Sequence, residues 1–260
     1  MATYLDRIIA AHRQYAAADT RSVAALHTEA LAAPPARGFA DALATTSGLA
    51  VIAEVKRRSP SKGTLAPSLD PADLAGRYEA GGATCLSVLT DVEWFGGSVE
   101  DLRAARGAVT IPVLRKDFTV CEADVCDAKV MGADAVLLIA AALDDAELGA
   151  LHGLATEVGL DTLVEIHDEA ELERALTVGA MLVGVNQRDL VTFEVDVDRA
   201  VRMAPQMPHG VVRVAESGVR GVDDATRLAE AGYHAVLVGE SLVTAEDAAA
   251  GVAALRVIGR

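Results

Sequence analysis

The fold this sequence predicts is α/β: a (β/α)8 TIM barrel with an N-terminal helical extension. Three observations predict it. Short runs of β-branched and apolar residues recur eight times along the 260 residues. Each run is followed by a polar loop and an amphipathic segment, the alternation that produces a parallel sheet. Several of those segments open on Ser or Asp with acids in the first turn and close on Gly, as helices do. A chain of this length, 52% hydrophobic, can build one large core. Two smaller domains are the competing arrangement, but no Gly/Ser- or Pro-rich linker divides the chain. Residues 1–260 are therefore expected to form a single domain, with 1–48 as the extension. An open doubly wound sheet also fits the alternation, but its glycine-rich phosphate loops are missing.

Taken in order, TYLDRIIAAHRQYA (3–16) reads as an amphipathic helix covering the barrel or its rim. PPARGF (34–39) reads as a turn or loop leading into the first strand. Strands are expected near 51–56, 85–90, 112–116, 135–139, 162–167, 182–186, 211–216 and 235–239. The helical segments between them include DPADLAGRYEAGG, SVEDLRAARGA, DDAELGALHGLATEVG, DEAELERALTVG and VDDATRLAEAG. The loop RRSPSKGTLAPSLD carries charge, Gly and Pro but little to bury, and is expected to act as a mobile lid.

Composition excludes several function classes. A net charge of −15 argues against nucleic acid and anionic membranes as partners, since both need a basic footprint. A small anionic ligand stays compatible, because a local basic cluster can act against the global field. The six histidines show no HExxH and no metal-ligand spacing, so no metal site is expected from them. Cys85, Cys121 and Cys126 form no CxxC and leave one unpaired, which suits a reduced cytoplasm and small buried thiols. Asp6 and Arg7 fall where a signal peptide needs its apolar stretch, and the longest apolar run is too short to span a bilayer. A cytoplasmic monomer or weak homo-oligomer is expected.

Strand periodicity points to the site. In AVIAEVK, residues Ile52, Glu54 and Lys56 share one face and Val51, Ala53 and Val55 the other. In a barrel the second set meets the helices and the first faces the lumen. Glu54 and Lys56 then look into the C-terminal mouth, where barrel active sites lie. Parity places Lys116, Glu165, Asn186 and Glu216 in the same way, with Ser217 beside the last. Five strands each deliver polar side chains to one mouth, a desolvation that packing alone does not explain. The chain has four lysines against nineteen arginines, and Lys56, Lys62 and Lys116 all lie at the ends of strands 1 and 3 or just after. Asn186 is its only asparagine. Lys129, in a helical stretch, reads as a solvated surface residue.

Two lysines facing glutamates suit acid–base work on a carbonyl, since an ammonium can protonate oxygen and a carboxylate can accept a proton. A Schiff-base aldolase would use such a lysine as nucleophile instead. His167, just beyond Glu165, reads as a supporting or helix-capping residue. For phosphate, AESG (215–218) and VGES (238–241) follow the last two strands, where barrels bind anions through backbone amides.

These residues resemble the indole-3-glycerol phosphate synthases of tryptophan biosynthesis. The similarity spans about residues 50–242 and rests on IAEVKRRSPSKG, SVLTD…FGGS, PVLRKDF, GADAVLLI, LVEIHDE, GVNQRDL, AESG and LVGESL. The resemblance implies a (β/α)8 carboxy-lyase without cofactor or metal. It implies ring closure, decarboxylation and dehydration of 1-(2-carboxyphenylamino)-1-deoxyribulose 5-phosphate. Lys116 would be the acid for ring closure, with Glu165 at or near the same oxygen. Glu54 and Lys56 would serve later proton transfers and carboxylate binding, and Asn186, Glu216 and Ser217 would orient substrate. The matching substrate-binding positions are Ser59, Ser61, Lys62, Phe118, Arg188, Gly218, Gly239 and Glu240. Glu240 stands where some members carry serine, so its amide is the part that transfers. Sibling phosphosugar isomerase barrels use Asp or Cys at the end of strand 1, where this chain has Glu54 and Lys56. A non-catalytic barrel subunit is expected to lose some polar strand ends, and none is lost.

Overall fold

Three helices come first: α1 Tyr4–Ala18, α2 Val23–Ala32 and α3 Phe39–Thr45. The computed structural model describes residues 3–60, 62–189 and 191–258. The strands are β1 Ala50–Val55, β2 Cys85–Leu89, β3 Val113–Lys116, β4 Ala135–Ile139, β5 Asp161–Ile166, β6 Leu182–Asn186, β7 Val212–Glu216 and β8 Ala235–Val238. Each pairs in parallel with its neighbour in sequence. β8 pairs back onto β1, with Ala50 opposite Ala235 and Ala53 opposite Val238, so the sheet closes without an edge. All eight expected strands are present, with ends displaced by at most one residue.

The outer helices are α4 Pro71–Ala80, α5 Val99–Ala108, α6 Glu122–Met131, α7 Asp145–Glu157, α8 Glu169–Thr177, α9 Arg199–Met203 and α10 Val222–Glu230. A short α11 Glu240–Val243 and α12 Ala248–Leu255 complete the ring. Asp70, Ser98, Asp144 and Asp168 cap α4, α5, α7 and α8, each accepting backbone N–H groups of the first turn. A lost cap of this kind costs about 1 kcal/mol.

The two faces of the sheet sort as the strand period requires. Val51, Ala53 and Val55 pack outward against Leu74 and Tyr78 of α4. Ile52, Leu114, Leu163 and Val214 fill the lumen. The floor of the lumen is made by a second device. Ala50, Cys85, Ala135 and Ala235 are small, and the room they leave is filled by Phe39 and Leu43 of α3. Two carboxylates, Asp134 buried and Asp161 partly exposed, hold this plug from below. Asp134 accepts the N–H of Arg37 at 2.9 Å, and Asp161 accepts the N–H of Ala40 at 2.9 Å.

Three sequence expectations need correction here. Residues 34–39 are not simply a loop into the first strand, because Phe39 begins α3 and enters the barrel. Apolar Phe39 and Leu43, one turn apart, have a core to fill that only barrel closure creates. Lys129 is not a solvated surface residue. It is 5% exposed on α6, and its ammonium donates to the Gly159 carbonyl oxygen at 3.3 Å. Its long stem is covered by neighbouring packing while the charged tip reaches a carbonyl. Of the thiols, Cys85 and Cys126 are buried, but Cys121 is only half-buried, at the N-cap of α6.

Candidate active site

The C-terminal mouth of the barrel opens into a cavity of about 740 Å³. Glu54, Lys56, Lys116, Glu165, Asn186, Glu216 and Ser217 all line it. So do Ser59, Lys62, Phe118, Arg188, Gly218, Gly239 and Glu240. Ser61, the remaining expected contact, lies outside the described residues.

At the base of the cavity, Lys116 Nζ donates to Glu165 Oε2 at 2.9 Å and lies 3.4 Å from Glu216 Oε2. Glu165 Oε1 accepts from Asn186 Nδ2 at 3.1 Å, and Asn186 Oδ1 accepts the Arg188 N–H at 3.0 Å. The lone asparagine thus orients a glutamate with one end and the following loop with the other. His167 stands 3.7 Å from Glu165 and 3.0 Å from Glu171, the supporting place its position suggested. Lys56 is ion-paired with Glu54 from its own strand. Gly239 makes room for this pair. A Cβ there would run into the Glu54 carboxylate and approach Lys56 Nζ to 3.0 Å.

Burial drives the protonation states. Glu54, Glu165 and Glu216 are 4%, 1% and 2% exposed. Burial lifts the Glu216 carboxyl, with the Glu165 and Glu54 charges adding to it and Lys116 opposing, to about 8. Burial works to raise Glu165 as well. There Lys116, His167 and the Asn186 amide outweigh it and hold the carboxyl well below the usual range. Burial acts to lower Lys116, but Glu165 foremost, with Glu54 and with Glu216 once it ionises, keeps it firmly protonated. Two buried carboxylates are therefore split into one ionised and one that holds its proton at neutrality.

The sign of the pH dependence follows. Glu216 binds its proton more tightly in the folded state, so its contribution is full below its ordinary 4.5 and is lost as pH rises to about 8. Urea unfolding at pH 5, 6.5 and 8 should show stability declining more steeply in wild type than in Glu216→Gln. Equal slopes would remove Glu216 from the titrating set. All other ionisable groups are common to both proteins.

Helix α1 roofs one side of the mouth with Tyr4, Leu5 and Ile8. Its amphipathic pattern predicted cover, but which side chains face substrate had no signal in the sequence. Nor did Phe193, which has φ 61° and packs its ring 5.2 Å from that of Tyr4. His12 anchors α1 through Asp91 at 3.1 Å, with Asp117 4.0 Å away. These three groups could surround a cation by spacing. The carboxylates are instead occupied by donors: Asp91 takes the N–H groups of Trp94 and Phe95, and Asp117 those of Phe118 and Arg115, with the Thr90 hydroxyl. The cluster reads as a filled ion-pair network holding α1 in place.

The loop after β1 folds as a small hairpin, Arg58–Ser59 against Gly63–Thr64. Arg57 pins its base to Asp101 at 2.9 and 3.0 Å. Its tip carries Lys62 to 3.6 Å from Glu240 across the mouth.

The residues at this mouth can be compared with known proteins. The family model described as indole-3-glycerol phosphate synthase matches residues 5–255. The chain belongs to that family. An indole-3-glycerol phosphate synthase of Mycolicibacterium vanbaalenii is 50% identical over 99% of this chain and 95% of its own length. The one from Streptomyces griseus subsp. griseus is 52% identical over 90% and 87%, and that of a Nocardioides species 57% over 77% and 77%. Among solved structures, a 3-hexulose-6-phosphate synthase superposes with a TM-score of 0.63 at 17% identity, covering 80% of this chain and 98% of that one. A thiamine phosphate pyrophosphorylase from Pyrococcus furiosus gives 0.61 at 17%, covering 80% and 94%. At that identity these two share the fold alone.

Proposed function

We propose that this chain converts 1-(2-carboxyphenylamino)-1-deoxyribulose 5-phosphate to indole-3-glycerol phosphate, CO₂ and water. The observation that carries the reading is Lys116 held between an ionised Glu165 and a proton-bearing Glu216 at the base of the mouth. Ring closure joins the aryl carbon bearing the carboxylate to the ketone carbon, and the ketone oxygen must take a proton. Lys116 gives it, since a developing alkoxide is far more basic than an amine. Glu165 steadies the ammonium and the oxygen it serves, and Glu216 can return a proton to Lys116. Loss of CO₂ restores the aromatic ring. The new hydroxyl then leaves as water with a proton from the adjacent carbon, and Lys56 and Glu54 are the acid and base placed for that exchange. Asn186 and Ser217 orient the substrate, and Phe118 and Ser59 contact it. Incubation with the carboxyphenylamino-deoxyribulose phosphate should produce indole fluorescence with CO₂ release. Neither signal from folded protein would end the reading.

The phosphate is proposed to bind the amides of Gly218 and Gly239 with Arg188 and Glu240 alongside, where the last two strands end. Inorganic phosphate or sulfate should then compete with substrate and map to these residues. An anion bound elsewhere without competition refutes the assignment. The hairpin is proposed as a lid whose Lys62 leaves Glu240 and closes on the substrate's anionic groups. Unchanged turnover and KM in Lys62→Ala would remove that role.

A cytoplasmic location and a monomeric or weakly associating state complete the proposal. Cys85, Cys121 and Cys126 are all unpaired, and no helix among the described residues is long and apolar enough to cross a membrane.

A further inference from the structure

Gln187 follows the strand-end Asn186 and has no role in the chemistry above. It is 1% exposed, and its side-chain amide Nε2 donates to the Ser217 carbonyl oxygen at 2.7 Å. Its own backbone is equally fixed. The Gln187 N–H donates to the Glu216 carbonyl at 2.9 Å, and its carbonyl accepts from Asp196 N–H at 2.9 Å. The residue it grips is strained. Ser217 has φ 66°, in the left-handed region that a side chain with a Cβ disfavours.

The direction of that grip matters because the peptide is planar and trans. The carbonyl of Ser217 and the N–H of Gly218 belong to one peptide unit and point in opposite directions. Holding the carbonyl on the β6 side fixes the N–H of Gly218 on the other side. Ser217 and Gly218 both line the cavity. Among the described residues none accepts the Gly218 N–H. Gly218, with φ 78°, cannot be replaced to stiffen the turn, since a Cβ would lie 2.6 Å from Val195 Cγ1. The strained turn is therefore secured from outside, by an amide one strand away.

We propose that Gln187 is a positioning residue for the substrate's phosphate: it clamps the Ser217–Gly218 peptide so that the Gly218 amide faces the anion. This rests on the reading that this amide binds the phosphate. The test measures kcat, KM, the inhibition constant of inorganic phosphate and the melting temperature for wild type, Gln187→Leu and Gln187→Met. Neither replacement side chain donates to the carbonyl, and Met keeps the length of Gln should Leu fold poorly. Losing one such hydrogen bond should weaken substrate and phosphate together by about tenfold, with kcat at saturation within about threefold of wild type.

A second arm repeats Gln187→Leu in a Ser217→Gly background. Glycine holds a left-handed φ without strain, so the Gln187 penalty on phosphate binding should shrink there. A phosphate constant unchanged in both Gln187 variants, or the same penalty in both backgrounds, overturns the clamp. So does a loss confined to kcat and melting temperature. Absence of phosphate competition in wild type instead removes the phosphate reading itself, and the clamp with it.

Discussion

Lys116→Arg is expected to lose about as much kcat as Lys116→Ala, on the order of 10²–10⁴-fold for a lost general acid. The geometry makes arginine a demanding control. A guanidinium can face both Glu165 and Glu216, which stand 2.9 and 3.4 Å from the lysine nitrogen. It keeps the positive charge and the ion pairing, so the fold and the electrostatic field survive. What it cannot do is release a proton, because its pKa lies above about 12. An ammonium gives up its proton to the oxygen of the closing ring and recovers one from a neighbouring carboxyl. Steady-state kinetics on both variants, with circular dichroism to confirm folding, decide the matter. Should Lys116→Arg keep most of the wild-type kcat, Lys116 is a charge and the acid is to be sought at Lys56.

The second large effect is on stability. Phe39→Ala should cost about 3–5 kcal/mol, the usual range for deleting a fully buried aromatic side chain. Phe39 is 0% exposed and fills the floor of the lumen over Ala50, Cys85, Ala135 and Ala235. None of these small residues can reach into the gap. The cavity would stay open, and the cost should sit at the upper part of the range. The catalytic groups lie at the opposite end of the strands, so kcat per folded molecule should change little. Urea unfolding reads the first quantity and activity per folded molecule the second. A stability loss below about 1 kcal/mol would show that α3 is dispensable as a floor. A collapse of kcat without loss of stability would tie α3 to the mouth instead.

These two sites differ in how much of them the sequence discloses. Strand period 2 is a local property, so Glu54, Lys56, Lys116, Glu165, Asn186 and Glu216 could be placed on the lumen face from the chain alone. Their convergence was legible because barrel closure brings like strand ends together, whatever the details of packing. The pairing inside the mouth was not legible. That Lys116 is shared by Glu165 and Glu216 depends on distances across strands far apart in sequence.

By itself, then, the sequence determined the eight strands, the helix caps between them, the face each strand residue takes and the polar set at one end. Each follows from hydrogen bonding and hydrophobic period within a few neighbouring residues. Only the tertiary structure decided that Phe39 and Leu43 plug the lumen, that Lys129 is covered, and that Tyr4, Leu5 and Ile8 roof the mouth. It likewise decided that Gln187 grips Ser217. The physical reason is shared. A buried aromatic, a covered ammonium stem or a clamped carbonyl gains its energy from partners dozens of residues away, and those partners meet only once the barrel has closed.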